Sequence, residues 1–316
     1  MASAFTNYNQ TVFLNRVKLQ GVSSVSASYN VKTKPVNILG QGCVNQVISD
    51  IPESTVSITR DLNFVDVLQP YTGLNRNLRG SIHYDNRIMG FDEGHLTSYS
   101  YSVQYGQTPV STADISVFGD MGYGLQDETA EDSLNASGQY VERQVKVPRP
   151  SDISLTCLES TSNRITNFSF DVSVPKIPVY AINNKRPVQV SFGWPLVVNT
   201  SFTMEVDDFT SKRMFSYLTD SAFDSFSINV KGIIYDANVL TEVDGDELTM
   251  PDGTFLTLLS DDTYQVSQLW SFNSSNTRLI SQDFSASADD VTQVRLNYQT
   301  YIGKNRGGVS GPMLRP

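Results

Sequence analysis

Nucleophilic, acid–base and metal-binding chemistry draws on few residue types, and this 316-residue chain is poor in the most versatile of them. It has two histidines, His83 and His95, and two cysteines, Cys43 and Cys157. His83 in Ile82-His83-Tyr84 and His95 in Gly94-His95-Leu96 read as hydrogen-bonded strand or turn residues rather than bases. Cys43 follows a Gly40-Gln41-Gly42 turn and Cys157 sits in an apolar run, so they read as two free thiols. This inventory falls short of a His/Cys metal centre or a nucleophile relay, so the expectation is a non-enzyme without cofactor or metal.

Carboxylates are more plentiful. The doublets Asp207-Asp208, Asp261-Asp262 and Asp289-Asp290 could in principle supply hydrolytic acids, but neighbours on a strand point to opposite faces, so no doublet is itself a catalytic pair. Asp244-Gly245-Asp246-Glu247 offers oxygens to Ca²⁺ without the ordered ligand spacing of an EF-hand, and reads as a solvated acidic turn. Gly119-Asp120-Met121-Gly122-Tyr123-Gly124 lacks the strand before and helix after that make a glycine loop hold phosphate. Trp194 and Trp270 flank apolar strands and read as packing or interface anchors ahead of sugar-stacking platforms. The segment 304–312 shares one triplet with RGG-type nucleic-acid tails and reads as a terminus that orders against a neighbouring subunit.

The elements that must position these residues are strands. Period-two alternation recurs in Val56-Ser57-Ile58-Thr59, Tyr99-Ser100-Tyr101-Ser102-Val103, Phe168-Ser169-Phe170-Asp171-Val172, Phe202-Thr203-Met204-Glu205-Val206 and Val294-Arg295-Leu296-Asn297-Tyr298. Each run has one apolar face and one Ser/Thr or charged face, as half-buried antiparallel strands do. Two segments read as helices: 61–69, opened by Asp61 and stopped by Pro70, and 208–219, opened by Asp208. No window approaches the ~18 apolar residues of a membrane span, and the N-terminus lacks the pattern of a cleaved signal, so a soluble protein without a membrane anchor is expected. Lys plus Arg number 23 against 33 Asp plus Glu, a net charge of −10, which disfavours sequence-reading nucleic-acid binding.

The pattern repeats. Val25-Ser26-Ala27-Ser28-Tyr29, leading to Pro35-Val36, matches Phe168-Ser169-Phe170-Asp171-Val172, leading to Pro178-Val179, so that Pro35 falls on Pro178. Val56-Ser57-Ile58 matches Phe202-Thr203-Met204, and at the same offset Tyr71 falls on Tyr217 and Ser81-Ile82 on Ser227-Ile228. Leu96-Thr97-Ser98-Tyr99-Ser100 matches Leu279-Ile280-Ser281-Gln282-Asp283 at a much larger offset, so a segment is inserted in the second half between these blocks. The expected organisation is an all-β chain with one short helix per unit, in two tandem domains of β-sandwich or split-barrel type. The first spans 1–147 with a connecting arm at about 120–147; the second spans 148–316 with an acidic hairpin insertion at about 232–272. Eight of the carboxylates and no Lys or Arg fall in 236–262, where Leu248-Thr249-Met250 and Phe255-Leu256-Thr257-Leu258 read as a hairpin about Pro251-Asp252-Gly253.

One stretch resembles a known family. The run Leu279-Ile280-Ser281-Gln282-Asp283-Phe284-Ser285, an acidic turn at Asp289-Asp290, and Val294-Arg295-Leu296-Asn297-Tyr298-Gln299-Thr300-Tyr301 resemble the closing hairpin of bacteriophage tail tube proteins. Leu96 to Gly119 follows the same scheme with Gln107-Thr108-Pro109 at its turn, which lacks the acidic pair. The resemblance implies a structural virion protein, assembled in the host cytoplasm, whose domains close a six-fold ring. Rings would stack into a tube through which DNA or a tape-measure protein passes, with sheath or baseplate proteins as further partners. Two units per chain then imply a trimer with pseudo-six-fold symmetry, in the tail tube or in a baseplate hub. Asp244, Asp246, Glu247, Asp261 and Asp262 are the candidate residues for the lumen or for ring stacking, with DNA repelled rather than bound. Rivals are a carbohydrate-binding β-sandwich of a tail fibre, resting on Trp194 or Trp270, and a β-rich hydrolase.

Overall fold

The computed structural model describes residues 11–123, 153–205, 224–239 and 257–302, apart from 16, 32, 38–43, 50–51, 63–65, 74–75, 85–86, 158–159, 163–164, 183 and 288–289. The chain is all-β. The first ten strands are β1 (Thr11–Leu14), β2 (Val17–Lys18), β3 (Val22–Asn30), β4 (Thr33–Asn37), β5 (Val44–Ser49), β6 (Glu53–Asp61), β7 (Leu78–Tyr84), β8 (Arg87–Gln104), β9 (Val110–Val117) and β10 (Met121–Tyr123). There follow β11 (Ile153–Cys157), β12 (Ser160–Ser162), β13 (Ile165–Ser173), β14 (Lys176–Val179), β15 (Gln189–Phe192), β16 (Leu196–Glu205), β17 (Asp224–Val239), β18 (Thr257–Ser287) and β19 (Asp290–Ile302).

The ladder repeats itself. Antiparallel pairings join β1 to β2 and β7, β3 to β6, β4 to β5, β6 to β9, and β8 to β7 and β9. The same pairings join β11 to β12 and β17, β13 to β16, β14 to β15, β16 to β19, and β18 to β17 and β19. Irregularities recur too: register shifts at Val22/Ser24, Leu78/Gly80 and Leu96/Ser98 reappear at Ile165/Asn167, Asp224/Phe226 and Leu279/Ser281. A bulge disrupts the ladder and sets local twist, so three at matched places describe one architecture used twice. The residue skipped at the first donates the same bond in each half, Ser23 Oγ to the Thr59 carbonyl and Thr166 Oγ1 to the Thr203 carbonyl, both 3.2 Å.

These equivalences follow the offsets read from sequence, with one correction. Val25 pairs with Ile58 and Phe168 with Phe202, so the counterpart of Phe202 is Ile58, two positions beyond the Val56 expected from sequence. A slip of two keeps every side chain on its face, which is why alternation alone could not detect it. The β17–β18 hairpin continues past Val230 and Trp270 to Val239 and Thr257, whereas β7–β8 closes at Tyr84 and Arg87. Thr257 and Leu258 pair with Val239 and Asn238, not with 248–250; residues 240–256, with the expected turn, lie outside those described.

β8 and β18 each change partners along their length within one large sheet. The early part of β8 pairs with β7 and β10, and from Gly94 onward it pairs with β9. Glu93 adopts φ 51° at the changeover, and a Cβ on Gly94 would come within 2.8 Å of both Ile115 and Phe91, so the crossing leaves no room for a larger residue at 94. The outer edge of β8 then pairs with β13, from Asn167 opposite Gln104 to Ser173 opposite Ser98. The two halves thereby share one run of strands, β3-β6-β9-β8-β13-β16-β19-β18.

The core lies on one face of this run. Trp270, from the early part of β18, stacks on Tyr101 at 4.4 Å between centroids and meets Phe168 and Phe170 edge-on or tilted, so it sits over the β8–β13 seam. Gln69 Nε2 donates to the Ser271 carbonyl at 2.6 Å, a second buried link between the halves.

The helix expected at 61–69 is not formed as drawn. Asp61 ends β6, and the helical turn is a 3-10 turn at Gln69–Gly73 that contains Pro70 near its start, where a missing N–H is harmless. The cause is Asp66. Its buried carboxylate accepts from the Leu68 amide at 2.9 Å and the Arg60 guanidinium at 3.0 Å, and from the Tyr99 hydroxyl, pinning the segment as a turn. The second expected helix, 208–219, lies outside the described residues, as does the connecting arm beyond Tyr123.

Candidate functional site

Alternation along eight adjacent strands leaves the face opposite the core lined by short polar side chains. Ser98, Ser100 and Ser102 come from β8, Ser169, Asp171 and Ser173 from β13, and Thr112, Asp114 and Ser116 from β9, and none is buried. β6, β16, β19 and β18 continue the face with Thr55, Ser57 and Thr59, with Asn199, Ser201 and Thr203, and with Asn297 and Ser281. Hydroxyls and amides bond across the strands: Ser28 to Thr55 at 2.6 Å, Asn297 Nδ2 to Ser281 Oγ at 2.7 Å, Gln299 Nε2 to Asn199 Oδ1 at 2.9 Å and Arg295 Nε to Ser201 Oγ at 3.0 Å. Such cross-strand pairs tie neighbouring strands together on this face.

The face is net acidic. Among the described residues it carries Glu53, Asp61, Asp114, Asp171, Glu205 and Asp283 against Arg278 and Arg295. The Asp171 carboxyl is raised above its ordinary pKa, first by partial burial and then by the negative charge of Asp114, with a hydrogen bond from Asn199 opposing the shift. Two like charges are thus held near the β8–β13 seam.

Of the acidic residues singled out from sequence, Asp244, Asp246 and Glu247 lie outside the described residues, and Asp261 and Asp262 fall on β18 in the stretch that pairs with β17. The missed signal was the plain one: the Ser, Thr and Asn of alternating runs, read as the solvent side of separate strands, become one surface once the strands are ordered. Cys157 is on β11 and Cys43 lies outside the described residues.

His83 Nε2 is 2.9 Å from Ser81 Oγ and its ring packs on Phe13. His95 is buried against Phe118, its Nδ1 without a partner, and burial followed by the charge of Lys176 lowers its pKa to about 4. Within the glycine-rich stretch, Met121–Tyr123 forms β10 on β8, and the Asp120 amide donates to Asp92 Oδ1 at 2.5 Å. Arg186, from the β14–β15 connection, bridges Asp92, Glu93 and Asp120 and so ties the second half to the first. Trp270 is fully buried and offers no sugar platform; Trp194 is partly exposed beside Phe192.

Among the described residues no helix is long and apolar enough to cross a membrane. No protein-family model matches the chain, and comparison with curated proteins finds no match.

Proposed function

We propose that the chain is a structural subunit of a bacteriophage tail tube, three copies closing a pseudo-six-fold ring whose channel wall is the hydroxyl-rich face. The observation that carries this reading is the seam at β8 and β13, where two copies of one strand pattern fuse edge to edge into a single sheet with one polar, acidic face. A sheet of such units gains by closing, because closure removes the unpaired edges that otherwise invite aggregation. Carboxylates on the wall repel DNA phosphates over about one Debye length, ~8 Å at physiological salt, while Ser and Thr offer no cation to hold them.

On this reading the wall includes the carboxylates of β6, β9, β13, β16 and β18. Exposed apolar side chains on the β14–β15 hairpin, Ile177, Val179, Ile182 and Val188, supply a second surface for contacts between copies or with other tail proteins. The test is location: antibody-labelled particles viewed by electron microscopy should carry the label along the tail. Label confined to one end would move the ring to a hub, and label on fibres would overturn the reading.

A further inference from the structure

The two edges of the eight-stranded run, unpaired among the described residues, are the repeat counterparts of the two strands joined at its centre. β3 corresponds to β13, with Val25 standing where Phe168 does, and the last part of β18 corresponds to the last part of β8, with Leu279 standing where Leu96 does. At the internal seam Phe168 lies opposite Val103, Phe170 opposite Tyr101 and Val172 opposite Tyr99 on the core side, with Asp171 opposite Ser100 on the polar side.

We propose that β3 of one copy pairs antiparallel with residues 281–287 of β18 in the next, in the register of the internal seam. Val25 then faces Ala286, Ser26 faces Ser285, Ala27 faces Phe284, Ser28 faces Asp283 and Tyr29 faces Gln282. This names the contact that the ring reading needs, and rests on that reading only in taking the neighbour to be a second copy of the chain.

Three features support it. Among the described residues β3 has β6 as its sole sheet partner, and residues 281–287 have β19. Side chains sealed at the internal seam have exposed counterparts at the free edges: Tyr101 is 1% exposed and Val172 0%, whereas Phe284 is 64% and Tyr29 57%. The residue pairs are also complementary in the same way. The Phe170–Tyr101 pair becomes Ala27–Phe284, still ring-filled, and Asp171 opposite Ser100 becomes Ser28 opposite Asp283. The carboxylate changes strand, yet each seam keeps one at the same level of the polar face. A contact between unlike edges of identical chains is heterologous and propagates head to tail until it closes.

Cross-linking between singly substituted chains tests the register. In a Cys43→Ser, Cys157→Ser background, chains carrying Ser26→Cys are mixed with chains carrying Ser285→Cys, and likewise Ala27→Cys with Phe284→Cys, under mild oxidation. Adjacent rungs alternate between close and wide Cα spacing, so at least one mixture should give roughly tenfold more disulfide-linked dimer than the off-register mixture of Ser26→Cys with Asp283→Cys. Ser24→Cys with Ser287→Cys replaces any pair whose circular dichroism shows misfolding. Equal cross-linking in all mixtures, in assemblies seen as rings, overturns the register and leaves the ring; an unsubstituted chain that sediments only as monomer overturns both.

Discussion

Asp66 concentrates more consequence than any other single side chain. Its carboxylate receives the Arg60 guanidinium, the Leu68 amide and the Tyr99 hydroxyl in a site from which water is excluded, and it decides that 66–73 is a turn rather than a helix. Burial, then the Asp66 charge, push the Tyr99 hydroxyl well above its ordinary pKa, so it stays a donor. Asp66→Ala should cost about 3–5 kcal/mol in equilibrium denaturation, because Arg60 is left buried without its counter-ion. His95 sets the acid limit. Its folded pKa of about 4 lies below the unfolded value of 6.5, so protonation favours the unfolded chain. The contribution of this group is full above about pH 6.5 and is lost as pH falls toward 4. His95→Gln should flatten the denaturation midpoint across that window, and an unchanged slope would assign the loss to other groups.

At the scale of elements, the long strands β8 and β18 do the organising, each exchanging one neighbour for another along its length. The extension of β17 and β18 beyond Val230 and Trp270 adds length without adding a new partner in the shared run. Replacing 231–269 with the short connection Asp-Asn that stands at 85–86 should therefore preserve the β-type circular dichroism and cooperative melting, with Trp270 fluorescence still that of a buried indole. Loss of the fold would show that the extension is structural.

Much of this architecture was legible in the residues. The offsets between the halves could be read because Phe168-Ser169-Phe170 and Leu279-Ile280-Ser281 keep their face patterns intact, and period-two alternation is local information. The Val56 match failed by two positions because β6 has the same alternation in either register, and only the partner strand distinguishes them. The helix at 61–69 failed for a tertiary reason, since nothing local announces that Asp66 will meet Arg60 and Tyr99. The polar wall was invisible for the same cause: Ser98 and Ser169 stand far apart in the chain and become neighbours only through strand order.

Among the described residues, two units are joined by a seam within the chain, with an unpaired edge at each end of the shared run and one acidic face running across both. Part of the net charge of −10 then has a place, since six carboxylates against two arginines of the described residues sit on that face. End-on class averages of the purified assembly, paired with its mass, bear on this most directly. Three chains should give six wall segments around an open pore, with density for the eight-stranded sheet facing inward. A monomer at every concentration, or a ring whose wall segments do not number twice its chains, would contradict it.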